Sequence, residues 1–560
     1  MNSPTTPSER RFTVLVAAAA MALSMLPYRY AASHAPDGYQ FLGFVDHPYD
    51  MFSYLMKMTD GSLGHFFRVD KYTTGEQPRI YFDLFWTPLG WMSRATGVSL
   101  TATFHLARLV WGFALLCAVL PFAALFTRHS VERQLAVALV AFSSGLNFLL
   151  PMTAWRWLEP FQILPLDYYV QESIVFESLL TSPEFCADTV MLLGYVGFGS
   201  LFLARGGLRP ALASGACAFV LGFIHPIDVP AGCALLGLFG AFRVAYGRSA
   251  VTTALLGVAI PTACAAPSFG YLAWLFQANP VFVEWSKTTF ISPNPWTYLL
   301  GYGLPLLFAV PACAAALRRK KSSDLFLAAL LIGVPILLYV PVSFQRRLSL
   351  GWHIPISVAA AMFFCRKALP LLAPALSSLA TGLFAISSSR IRRLVPLAAC
   401  ILFVAATFPS NAVKLSMVAT DPAHSPAEFC LTYEELESLS YLQTHVREDD
   451  GVLCYYRLGQ HVPQRTGANA YCAHWSETPR FDERMKELRA LFGIVASDEE
   501  RGRIVAHSEC RWLLRGPSDA ELGAWEPASL PGISKVFWNA RSAVYRIDPA
   551  SLPGQATGRP

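Results

Sequence analysis

Apolar runs of about 15–25 residues recur along this chain, separated by short segments rich in arginine or proline. Runs of that length leave few choices of fold. In lipid every backbone N–H and C=O must be paired internally, so a segment that crosses does so as a helix or as part of a closed barrel. Runs this long and this continuously apolar are helical. Composition agrees: 54% of the residues are apolar and 15% are charged, against about 25% charged in soluble domains. The expected fold class is an α-helical polytopic membrane protein.

Eleven spans are expected, at residues 12–30, 104–126, 134–153, 185–204, 211–226, 230–245, 251–276, 298–317, 324–341, 352–365 and 394–410. The first run follows Arg10 and Arg11 as a signal peptide would, and "LPYRYAASHA" leaves room for a cleavage site. The many spans that follow favour an uncleaved first span. "ALPLLAPALSSLATGLFAI" (368–386) is apolar enough for a twelfth span. Its prolines and its flanking charges favour an interfacial or re-entrant segment on the inner side.

Basic residues set the orientation. With the N-terminus inside, inner segments carry Arg10, Arg11, Arg128, Arg133, Arg205, Arg209, Arg243, Arg248, Arg318, Arg319, Lys320, Lys321, Arg366, Lys367, Arg390, Arg392 and Arg393. The short outer loops carry only Arg156, Lys287, Arg346 and Arg347. This bias places the N-terminus in the cytoplasm and everything after residue 411 outside. The net charge of +6 says little once the charges are sorted by side. The arginines form no basic-aromatic nucleic-acid motif, so no nucleic-acid partner is expected.

Two domains follow: a transmembrane domain over 1–411, with a long first outer loop at 31–103, and a small extracytoplasmic α/β domain over 412–560. In the tail, "TYEELESLSYLQTHV" opens with a capping box from Thr432 to Glu435 and reads as a helix. "RFDERMKELRALFG" reads as a second helix. "GVLCYY" and "RWLL" read as strands, and "KVFWNARSAVYRI" reads as a strand pair. Cys430, Cys454, Cys472 and Cys510 would lie in an oxidising compartment, where one or two disulfides compete with four buried thiols. The first outer loop is too long to be a connector. Its "DMFSYLMKMTDG" and "FDLFWTPLGWMSR" read as helices lying in the outer interface.

That loop also holds "GFVDHPYD". Pro48 suits the first position of a helix and Asp50 its first turn. Asp46 then sits just before the helix, where the dipole favours a carboxylate able to take a proton or hold a cation. The competing reading is an ordinary N-cap acid. The second outer loop adds Glu159, Asp167, Glu172, Glu177 and Glu184 against Arg156. On one helix Glu172 and Glu177 would lie about 140° apart, so only one of them can face a shared ion. The others read as a solvated acidic loop. Arg346, Arg347 and His353 in "SFQRRLSLGWH", with Lys287, place cations at the outer boundary, where an anionic head group binds. Pairing with the outer acids is the competing reading. His225 in "HPID" reads as structural.

The chain as a whole resembles the GT-C superfamily of integral-membrane glycosyltransferases, in the branch of protein O-mannosyltransferases and lipid A aminoarabinose transferases. The likeness rests on a single span followed by a long loop with "DHPYD", "MFSYLMKMTDG" and "WTPLGWMSRATG", then on "HLARLVWG", "YLLGYGLP", "FQRRLSLGWHIP" and "AHWSET". It covers nearly the whole chain through loose motifs. It implies inverting transfer of a sugar from a polyprenyl-phosphate carrier to a glycan, lipid or protein acceptor at the outer face of the cell membrane. Asp46 would be the base. Asp50, Glu172 or Glu177 would assist the acceptor or a metal. Arg347, Arg346, Lys287 and His353 would hold the lipid phosphate. Many members carry adjacent acids where this chain separates Asp46 and Asp50 by "HPY". Metal use differs across the superfamily, so a divalent cation stays open. The alternatives are a transporter or channel, against which stands the lack of an internal repeat, and an inactive membrane scaffold whose outer domain binds a partner.

Overall fold

The computed structural model describes residues 4–285, 287–383 and 388–552. Residues 384–386 of the 368–386 segment, and the last eight residues of the tail, lie outside the described residues. Of the described residues, those within 1–26, 105–271 and 289–417 form one compact unit, and those within 27–104, 272–288 and 418–560 form the other.

Seven helices are long and apolar enough to cross a membrane, with an eighth if the pair Leu394–Ala406 and Pro409–His424, bent by 45°, counts as one span. Shorter apolar helices occupy Leu208–Ile224 and Ser322–Leu337. With Ser130–Phe142, a helix occupies at least part of every segment marked by the apolar runs. The chain is thus a multi-pass helical protein.

Two expectations are corrected. The run 134–153 stops being helical at Phe142. Its next amides turn to other chain segments: Ser144 N–H donates to Thr407 C=O at 2.8 Å and Leu146 N–H to Leu300 C=O at 2.8 Å. Small, polar Ser143, Ser144 and Gly145 allow the backbone to leave the helix there. The second correction concerns 368–386. The helix His353–Phe363 runs through a π-helical turn, Phe364–Ala368, into Leu369–Leu383. Over 368–383 this segment therefore continues the preceding helix and is no separate re-entrant hairpin, a continuity that leaves the interfacial expectation untouched.

Within the first unit several basic residues have local partners. Arg133 lies 3.4 Å from Glu9, and Arg366 lies 2.6 Å from Glu132. Arg243 donates to Ser322 Oγ at 2.5 Å, beside the Arg319–Asp324 pair. Leu115, Val119, Leu139, Val140, Phe326 and Ile356 are among the side chains buried in its apolar core.

The second unit is α/β. Its sheet runs Asn469–Ala470, Gly451–Leu453, Trp512–Arg515, Ala543–Ile547, Ile533–Trp538 in spatial order. The first three strands are parallel and the last two antiparallel. The Thr432–Glu435 capping box forms, and helices occupy Tyr433–His445 and Phe481–Phe492 as expected. All four tail cysteines are buried free thiols, as they also are under the thiol reading above. First-loop residues share this unit: Tyr39–Phe41 pairs antiparallel with Cys430–Thr432.

The stretch expected as an outer interfacial helix is the helix Pro48–Leu63, closed by Gly64 at φ 98°. Met51, Phe52, Leu55 and Met56 are buried, and so are Ser53, Lys57, Thr59 and Asp60. Burial on so many sides is not the one-sided pattern of a helix resting on a membrane surface. The second stretch forms the helix Trp86–Thr96, which packs on the first.

Candidate functional site

Asp46 lies in a short loop pinned at both ends. Upstream, Leu42 N–H donates to Phe429 C=O at 3.0 Å as the strand pair ends. Phe44 is fully buried and packs edge-on against Phe52 and Phe104. Downstream, Pro48 starts the helix, its missing N–H costing nothing at that position. Between them His47 takes a left-handed backbone, φ 44° and ψ 52°. That conformation is uncommon for a residue other than glycine, and proline normally pushes its predecessor to extended angles. Local strain of this kind gathers at functional sites. The His47 ring Nδ1 lies 3.0 Å from Asp46 Oδ1, and the Asp46 side chain is 12% exposed.

Asp50 is separated from Asp46 as the Pro48 helix start requires. Its Oδ1 lies 3.1 Å from Nε2 of His474, which is buried. Ser476 N–H donates to Nδ1 of the same ring, which assigns the ring proton to Nε2 and makes His474 the donor to Asp50. The two first-loop acids therefore have different partners: Asp46 meets a half-buried imidazole beside it, and Asp50 holds a buried imidazole of the tail.

In the first unit, Glu172 and Glu177 do not share a helix. The helix is Val175–Thr181, and Glu172 lies in the turn before it. Ser178 Oγ donates to Gln171 C=O at 2.6 Å across that turn. Glu172 Oε1 lies 3.6 Å from Arg346 Nε. Glu177, fully buried, lies 3.5 Å from Lys414 Nζ. Arg346 and Arg347 both cover Phe290, with guanidinium carbons 5.6 and 4.0 Å from the ring centroid. Backbone bonds hold that ring in place: Arg346 N–H donates to Phe290 C=O at 3.0 Å, and Phe290 N–H donates to Ser343 C=O at 2.5 Å. Among the described residues Arg347 has no ion pair within 4.0 Å.

The other cations are engaged elsewhere. Lys287 is exposed and lies 2.5 Å from Glu284. His353 is buried, with Nε2 2.9 Å from Ser143 Oγ and Nδ1 accepting Val175 N–H at 3.2 Å. An imidazole with both nitrogens engaged inside the helices has none left for a phosphate. Asp167 is buried, and it accepts Gly145 N–H at 2.9 Å together with the Asn147 amide. His225 lies 2.6 Å from Asp228, a structural pair.

Sequence reasoning passed over Asp188, in the helix Pro183–Arg205. It is fully buried, its two carboxylate oxygens have no hydrogen-bond partner among the described residues, and Arg347 is its cationic neighbour. A lone acid inside an apolar run was the available signal.

One acidic group has the spacing of a metal site. Ligand atoms of Asp60, His65 and Glu448 lie within 4.8 Å of one another. Charge argues against it. Arg79 already binds Asp60 at 2.6 Å and Glu448 at 2.9 Å, and buried Lys71 stands 3.8 and 3.7 Å from the same oxygens. A divalent ion would have to enter between two cations, so these residues form an ion-pair network and do not fit a metal.

Neither a protein-family model nor a curated protein matches the sequence. Solved structures do match in fold. The archaeal oligosaccharyltransferase AglB from Archaeoglobus fulgidus, in complex with an inhibitory peptide and a dolichol-phosphate, superposes with a TM-score of 0.54 at 10% identity, over 98% of this chain and 76% of its own. ArnT from Cupriavidus metallidurans in the apo state gives 0.53 at 12% identity, over 97% of this chain and 99% of its own. The same ArnT bound to undecaprenyl phosphate gives 0.50 at 13% identity, over 95% and 97%. The chain thus has the fold of these two membrane proteins, the fold class that its sequence resemblance to the GT-C superfamily implies.

Proposed function

We propose that this protein is a membrane glycosyltransferase that moves a sugar from a polyprenyl-phosphate carrier to an acceptor at the outer face of the cell membrane. The observation that carries the reading is the fold match over nearly the full length of both this chain and ArnT. The complexes support the carrier: ArnT was solved with undecaprenyl phosphate and AglB with dolichol-phosphate.

Asp46 takes the proton from the acceptor hydroxyl. The hydroxyl oxygen forms a bond to the anomeric carbon while the bond from that carbon to the phosphate oxygen breaks, with inversion. Polyprenyl phosphate leaves with the negative charge. Arg347, backed by Arg346, holds that phosphate. Fixed cations facing a charge that grows during bond breaking stabilise the transition state more than the ground state. Glu172 stands against Arg346 and keeps its guanidinium in place. Asp50 positions the first loop through His474. The N-terminus lies in the cytoplasm and the tail outside.

The test compares cell-envelope glycans and glycoproteins by mass spectrometry with the gene intact, deleted, and replaced by the Asp46→Asn variant. The deletion is expected to remove one glycan modification, and Asp46→Asn is expected to behave as the deletion at normal protein level. Full modification in Asp46→Asn would overturn the assignment of the base. An unchanged glycan profile on deletion would overturn the enzyme.

A further inference from the structure

The second unit contains a cavity of about 540 Å³, within the range of small-molecule sites. Tyr49, one residue from Asp50, supplies one wall together with Tyr456, their ring centroids 6.0 Å apart. Tyr456 meets Phe481 edge-on at 6.2 Å. Trp475 lines the cavity while remaining 54% exposed, which puts it at the mouth. The helix Phe481–Phe492 turns Asp482, Met485, Lys486 and Arg489 toward the cavity, a spacing that places all four on one face. Asp482, Lys486 and Arg489 are exposed and give the rim acceptors and donors.

One of the lining polar side chains is buried. Gln460 is 1% exposed and lines the cavity, and its side-chain oxygen has no hydrogen-bond partner among the described residues. A buried polar oxygen left without a donor costs about 1–3 kcal/mol. A ligand that presents a hydroxyl to it removes that cost. A lipid chain would fill the aromatic space and leave the oxygen unpaired. A pyranose meets both demands, because its C–H faces are apolar enough to lie on aromatic rings and its edge is lined with hydroxyls.

We infer that this cavity is a carbohydrate subsite, which takes a pyranose between Tyr49, Tyr456 and Trp475 with a hydroxyl donated to Gln460. Naming that pyranose as part of the acceptor rests on the glycosyltransferase reading; the binding itself does not.

The test uses the full-length protein in detergent micelles and saturation-transfer NMR. The probes are the methyl pyranosides of glucose, mannose, galactose, N-acetylglucosamine and glucuronic acid. At least one is expected to bind, with a Kd on the order of 1 mM and the strongest transfer to its ring C–H protons. Trp475→Ala, at an exposed position, is expected to weaken binding about tenfold, and Gln460→Ala likewise. Asp46→Asn is expected to bind as the parent does, so a failure of the transfer reading leaves this result intact. The inference is overturned if none of the five pyranosides binds, if binding survives Trp475→Ala, or if a threonine- and tyrosine-containing hexapeptide binds the cavity in their place.

Discussion

At the scale of the residue, Asp46 and Asp50 divide the work that "DHPYD" leaves undivided. Asp46 sits on a strained loop between fixed neighbours; Asp50 is tied to His474. Asp46→Asn is expected to remove transfer without lowering stability, because it preserves shape and sits partly exposed. Asp50→Ala is expected to cost about 1–3 kcal/mol, by leaving the His474 N–H without its acceptor, and to retain part of the transfer. Thermal melts beside a transfer assay separate the two. The proline made the helix start readable from sequence. His474 was not readable, because it comes from a segment more than four hundred residues away. A second residue reports on pH. Asp519 is fully buried beside Gly516 N–H, and burial pushes its carboxyl up to about 7. In the unfolded chain it ionises near about 4. Between those values the folded state holds a proton that the unfolded state has lost, so stability falls as pH rises through that window. Corrected hydrogen exchange at Trp512–Arg515 should therefore be faster at about pH 8 than at about pH 5. Asp519→Asn should flatten the difference, and an unchanged slope would refute it.

At the scale of the element, the two first-loop helices meet at glycines. A Cβ on Gly90 would strike the Met58 carbonyl, and one on Gly61 would strike the Thr87 carbonyl. The backbones touch where side chains normally intervene. Gly90→Ala is expected to push the helices apart and cost about 1–3 kcal/mol. The readout is faster proteolysis of residues 48–96, and equal protection would show that the contact yields freely. Periodicity found both helices, and the capping box found the start of a third. Local pattern could not tell that Pro48–Leu63 would be buried on so many sides, since its cover comes jointly from the helix Trp86–Thr96 and from the distant tail. Lys57 reads as a surface lysine in sequence, yet it is nearly buried against Glu477 at 2.9 Å. The same limit explains Glu172. Its turn is set partly by Ser173 meeting Ser349, Oγ to Oγ, at 2.6 Å, a contact that no local signal announces.

At the scale of the whole molecule, the boundary drawn at residue 411 separates segments that fold together. Within the second unit Lys71, 1% exposed, donates to Gly467 C=O at 3.0 Å, and its own carbonyl accepts Ala470 N–H at 2.8 Å. Arg79 bridges Asp60 and Glu448. Tyr39–Phe41 has its strand partner at Cys430–Thr432. Composition separates an aromatic loop from a soluble tail and carries no trace of these pairings. A chain cut after Met417 would retain the spans and lose every one of those partners. Buried Lys71 and Asp60 would then lack Gly467 and Glu448, and breaking a buried charged group from its partners costs about 3–5 kcal/mol. Exchange at residues 39–45 and 68–73 should rise by about a hundredfold or more in the truncated protein. Exchange in the helix Pro183–Arg205 should stay as it is. If the loop were as protected without the tail as with it, the loop would be a folding unit by itself, and Asp46 would owe its position to the first loop alone. If protection collapses as expected, the placement of the proposed base depends on a tail that begins more than three hundred and fifty residues after it, and that tail is part of the catalytic scaffold.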